Sequence, residues 1–139
     1  MNKNKTKSII DTYYNDVYDV YLVVANKYTT LEELKELFTF SDGVELSDEI
    51  LNGQSTTSTC KRKSDGAYVV LVKYNKPNTC TSVDERLNFI NTCSHEATHV
   101  ALDIYELISQ NVCFCSSEPF CYLQGWAIQN IYKTLTKHE

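Results

Sequence analysis

Residues 67–75, AYVVLVKYN, constrain the fold more than any other stretch of this chain. They are apolar almost throughout and rich in β-branched side chains, so they predict a strand that lies well covered. Upstream, STTSTCKRK at 55–63 has the character of a second strand, and S-D-G at 64–66 joins the two. An Asp-Gly turn between strand-like runs predicts a β-hairpin. A third apolar run, YDVYLVVA at 18–25, predicts another buried strand.

Helix signals fill the rest. Thr30 begins T-L-E-E, a capping box with Glu33 that opens a helix to about Phe38. The turn-rich stretch 41–54, SDGVELSDEILNGQ, has room for one helical turn. KPNTCTS at 76–82 is a loop, with Lys76 held extended before Pro77. Ser82 begins S-V-D-E, a second capping box with Glu85, and a long helix follows to about Ser109. Its expected buried stripe is Val83, Leu87, Ile90, Ala97, Ala101, Ile104 and Ile108. After the loop QNVCFCSS, the sequence Ser117-Glu118-Pro119 announces a last helix ending near Lys137. Phe120, Ala127, Ile128, Ile131 and Leu135 are its inward residues, Trp126 packs between helices, and Gly125 permits close approach of a neighbour. The order strand, helix, hairpin, long helix, helix predicts an α+β fold in one domain spanning all 139 residues, with residues 1–8 frayed.

Charge narrows the function. A net charge of −5 supplies no basic field for nucleic acid or an anionic membrane. The basic start MNKNKTK is followed by SIIDTYYNDVYDVYL, too broken by polar residues for a signal peptide, and no apolar run reaches the roughly twenty residues of a spanning helix. The chain therefore reads as cytoplasmic, and its Asn, Lys and Tyr content suits an AT-rich bacterial or phage genome. The six cysteines contain no C-x-x-C pair, and Cys113, Cys115 and Cys121 match no common structural zinc spacing, so they read as free, partly buried thiols, the alternative being a disulfide or a metal held by that group. Tyr13, Tyr14, Tyr18 and Tyr21 read as sheet cover, and Lys61, Arg62 and Lys63 as a solvated strand end.

Residues 93–103, CSHEATHVALD, hold His95, Glu96 and His99 in the order H-E-x-x-H. On a helix, residues four apart share a face, so the two imidazoles can meet one ion while Glu96, about 100° around, faces a metal-bound water without ligating. Both histidines point away from the expected apolar stripe. A catalytic zinc takes a third protein ligand, and two candidates exist. Asp103 lies on the same face, but the helix rises about 12 Å from His95 to Asp103, so Asp103 suits an outer-shell role, orienting a ligand imidazole. Glu118, nineteen residues after His99, stands at the start of the next helix.

HEATHVALDIYEL followed by EPFCYLQGWAIQ resembles the zincin metallopeptidases of the gluzincin type, in particular the minigluzincins and small metallopeptidases encoded by bacteriophages. The resemblance spans about residues 82–137. It implies one Zn2+ per chain on His95, His99 and Glu118, Glu96 as general base and acid, and a peptide or protein substrate. It also implies that a sheet-edge strand just before the active-site helix, Ala67 to Tyr74 here, binds an extended substrate through residues such as Val69, Leu71 and Lys73. The long C-terminal subdomain of larger gluzincins is missing. Tyr122, Tyr105 and His138 are the candidates for stabilising the oxyanion. The chain reads as a zinc peptidase; the alternative is a zincin-fold binding or structural module that cuts nothing, such as a phage accessory protein.

Overall fold

The computed structural model describes residues 7–76 and 81–137. Five strands, β1 (Ile10–Asn15), β2 (Val20–Ala25), β3 (Phe38–Phe40), β4 (Ser55–Arg62) and β5 (Tyr68–Tyr74), form one mixed sheet in the order β1-β2-β5-β4-β3. Three helices, α1 (Leu31–Leu37), α2 (Val83–Leu107) and α3 (Glu118–Leu135), cover it, so the fold is α+β as expected. Among the described residues, no helix is long and apolar enough to cross a membrane.

The apolar run at 67–75 forms the centre of the sheet. β5 pairs parallel with β2 on one side and antiparallel with β4 on the other. The expected hairpin is present: Arg62 N–H donates to the Ala67 carbonyl and Gly66 N–H to the Arg62 carbonyl, with Gly66 at φ +72°. Val70, Val72 and Tyr74 face α2 and α3, while Val69 and Leu71 face Leu34 of α1, Leu46 and Ile50. The sheet therefore carries a core on each face, and alternation along β2 and β5 divides their side chains between the two.

This order corrects the expectation that Ala67–Tyr74 is a substrate-binding edge. Both edges of β5 are occupied, and Val69, Leu71 and Lys73 are buried on the face away from α2. The edge strands are β1 and β3, and β4, beside α2, is left part-open because β3 is short. Only the second half of β4 pairs with β3, from Phe40 opposite Cys60 to Phe38 opposite Arg62, with Ser41 N–H donating to the Thr59 carbonyl. No strand among the described residues lies outside Ser55–Ser58.

The capping box at Thr30 forms as expected. At α2, the Ser82 hydroxyl accepts from Glu85 N–H, but the Glu85 carboxylate turns back to the backbone and hydroxyl of Thr81, so the box is half made. The apolar stripe of α2 is also shifted. Phe89, Cys93, Ala97, Val100, Ala101 and Ile104 are buried, whereas Val83, Leu87 and Ile90 are more than half exposed. The last ring contact between the two long helices pairs Phe89 with Tyr132. Earlier turns of α2 run past the covered region, and helical periodicity alone does not tell where cover ends.

In α3, Ala127, Ile131 and Leu135 are buried as expected, together with Leu123, while Phe120, Trp126 and Ile128 pack at the margin. Gly125 is exposed, and a Cβ placed there would meet nothing within 4 Å, so it serves no close helix approach. Ser8 is held rather than frayed, its hydroxyl donating to Glu33 at 2.7 Å. Arg62 stacks over the Tyr21 ring at 4.4 Å and pairs with Asp65 at 2.7 Å, so the basic strand end is not simply solvated.

Candidate metal centre

α2 runs across the sheet with three sides in use. Its apolar side rests on β5, and a second side meets α3, which packs on β2 and β1 and whose Gln124 Nε2 donates to Thr98 Oγ1 at 2.9 Å. A third side faces β4, and here the contact is polar. Odd-numbered β4 residues point to α2, presenting the hydroxyls of Ser55, Thr57 and Thr59 in a row.

Glu96 meets that row. It is 6 % exposed, and its two oxygens are held separately: Ser55 Oγ donates to Oε1 at 2.7 Å and Thr57 Oγ1 donates to Oε2. Hydroxyl donors of this kind satisfy a carboxylate taken out of water, which would otherwise be costly to bury. Two turns on, Thr59 Oγ1 lies 3.4 Å from Asp103 Oδ2. Burial raises the Asp103 carboxyl above its usual range, against the opposing effects of Thr59 and the His99 imidazole. No hydrogen bond joins Asp103 to His99 among the described residues; Asp103 faces the strand.

His95 and His99 occupy the solvent side of α2, both exposed, as their position on the helix predicts. Their Nε2 atoms stand 3.2 Å apart, with the rings inclined at 67°. Two imidazole nitrogens bound to one tetrahedral zinc at ~2.05 Å lie about 3.3 Å apart. The pair thus has the spacing of two ligands to one ion. Glu96 lies between this imidazole side and the sheet, so the motif's carboxylate and imidazoles are neighbours with different solvent exposure.

The expected third ligand, Glu118, comes from the next helix. Glu118 is exposed at the first position of α3. The contacts Tyr105–Phe120, Thr98–Gln124 and Phe89–Tyr132 run in opposite directions along the two helices, so α2 and α3 are antiparallel. Glu118 therefore stands beside the last turns of α2, beyond His99. Among the described residues, no three His, Cys, Asp or Glu side chains gather as a metal-binding group.

Of the oxyanion candidates, Tyr122 is exposed one turn after Glu118. Tyr105 is buried, its ring edge-on to Phe120 at 5.3 Å, and His138 lies outside the described residues. Leu102 and Glu106 continue the imidazole side toward the helix end and, with Tyr105, Ser109 and Val112, line a shallow pocket of about 470 Å3. Ser55 and Thr57 were not singled out in the sequence. Their only signal is the hydroxyl-rich run STTST on a predicted strand, where alternate residues share a face.

No family model, curated protein or solved structure matches this chain.

Proposed function

We propose that the chain is a zinc-dependent peptidase. The observation that supports this most is the pairing of two exposed imidazoles at ligand spacing with a buried carboxylate held at both oxygens. His95 and His99 would hold the metal, with Glu118 as third ligand. Bound zinc supplies Lewis acidity, polarising a carbonyl and lowering the pKa of water toward neutrality.

Glu96 then acts as the base that takes a proton from the attacking water and as the acid that returns it to the leaving amine. Ser55 and Thr57 fix the orientation of that carboxylate for both proton transfers. A peptide added along the open edge of β4 at Ser55–Ser58 pairs with backbone groups directly beside Glu96. The Leu102–Glu106 pocket, reached from His99 along the same side of α2, accepts one substrate side chain.

Elemental analysis and a peptide-library cleavage assay test this reading together. We expect about one zinc per chain, lost in His95→Ala, His99→Ala and Glu118→Ala, since a catalytic site takes three protein ligands. Glu96→Gln is expected to keep zinc and lose cleavage. Full peptidase activity in Glu96→Gln would remove Glu96 from the mechanism.

One observation favours a second reading, a zincin-fold binding or structural module without activity: Glu118 is exposed at the first position of α3, beside the last turns of α2. Zinc-loaded protein that cleaves no member of a diverse peptide library supports the module; cleavage that disappears in Glu96→Gln excludes it.

A further inference from the structure

The turn between α2 and α3 carries chemistry that the peptidase reading does not use. Cys113 is the last extended residue before a 3₁₀ turn, Phe114–Ser116, with φ −128° and ψ 132°. The turn folds Cys115 back beside it, so that the two Sγ atoms stand 2.6 Å apart while Phe114 between them projects fully into solvent. Two thiolates on one tetrahedral zinc, at ~2.3 Å each, lie about 3.8 Å apart. A disulfide bond measures about 2.05 Å. The observed separation is too short to span an ion and longer than a bond, so the pair is two free thiols in direct contact.

The surroundings point the same way. Cys115 is exposed and Cys113 partly so, whereas Cys60 and Cys93 are buried. Burial pushes the Cys60 thiol up to about 12, which leaves it unreactive near neutral pH. The hydrogen bond with Cys115 holds the Cys113 thiol below its usual range, as an attacking thiolate requires.

We propose that Cys113 and Cys115 are a reversible dithiol–disulfide couple whose reaction partner is a low-molecular-weight disulfide. The Cys113 thiolate attacks one sulfur of the small disulfide, breaking its S–S bond, releasing one small thiolate and forming a mixed disulfide. Cys115 loses its proton and attacks Cys113 Sγ, which expels the second small thiolate. The two protein thiols are oxidised, the small disulfide is reduced to two thiols, and the two protons end on those thiols. This inference does not depend on the peptidase reading, since it involves neither histidine nor Glu96.

The test uses the full-length chain, reduced and then equilibrated with mixtures of glutathione and glutathione disulfide, alkylated, and mapped by peptide mass spectrometry. In the oxidised mixtures we expect a peptide lacking two hydrogens at 113–115. Alkylation of both cysteines should fall by about tenfold or more while Cys121 stays alkylated. The bond should persist in Cys121→Ser and be absent from both Cys113→Ser and Cys115→Ser. Pairing of either thiol with Cys121, accumulation of glutathione adducts without the internal bond, or undiminished alkylation in excess glutathione disulfide would overturn the proposal.

Discussion

Glu96 and Lys73 are two ionisable side chains buried to a similar degree on opposite sides of one sheet. Lys73 lies in the layer beneath α1, where its Nζ donates to the backbone carbonyls of Asn26 at 3.1 Å and Tyr74 at 2.9 Å. Those acceptors are main chain, its charged neighbour is Glu33 of α1, and both edges of its strand are occupied. Glu96 is held by side-chain hydroxyls, beside two exposed histidines and next to the half of β4 that β3 leaves unpaired. Burial of a charge is therefore no marker of a site. A carboxylate at a boundary, with reactive company and room for a substrate, is a better one, and Lys73 reads as a structural strut.

The Glu96 clamp carries the largest expected effect. Replacing both donors, Ser55→Ala with Thr57→Val, leaves a buried carboxylate without partners and is expected to cost about 3 kcal/mol in urea unfolding. A loss below about 1 kcal/mol would mean that the hydroxyls do not hold Glu96.

Lys73 gives a next smaller effect, visible in its pH dependence. Burial lowers its ammonium from 10.5 to about 8. Below pH 8 both folded and unfolded chains carry the proton, and between about 8 and 10.5 only the unfolded chain does, so the stability contributed by this group rises with pH across that window. The stability of the native chain minus that of Lys73→Met should rise by about 2–3 kcal/mol over the window. Cys60, with its thiol raised to about 12, destabilises both proteins alike above the usual thiol range and cancels in the difference. A flat difference would show that Lys73 keeps an ordinary proton affinity.

Two smaller effects sharpen the contrast. Gly125→Ala, at an exposed helical position with space for a Cβ, should stabilise the chain by about 0.5–1 kcal/mol in thermal unfolding, and a loss would restore a packing role for Gly125. Thr59→Val, which removes only the long contact to Asp103, should change stability by about 0.5 kcal/mol or less. A loss as large as that of the Ser55/Thr57 pair would make Asp103 a second clamped carboxylate.

Much of the fold was legible because its signals are local. The Asp-Gly hairpin, the Thr30 cap and the starts of the long helices depend on neighbours within four residues. β1 was missed because IDTYYN mixes Asp, Thr and Asn into an edge strand whose pattern is weak, and β3 because three residues carry no period. The edge assignment of β5 failed for a different reason: its parallel partner β2 is distant in sequence, and nothing local announces the pairing. At the site, the spacing placed His95 and His99 on one exposed side. The hydroxyls that hold Glu96 come from a strand some forty positions earlier, and only the tertiary fold brings them there.

That distant pairing has a consequence for how the chain folds. β4 and β5 close through a short turn, so their hairpin can form early, whereas β2 must close a loop from residue 21 to residue 69 before it docks. Until then the second edge of β5 is bare, and YVVLV is a β-prone, uncharged segment of the kind that templates self-association. A chain begun after Ala25 would expose that edge permanently, so β2 acts as a built-in guard against aggregation as well as a part of the core.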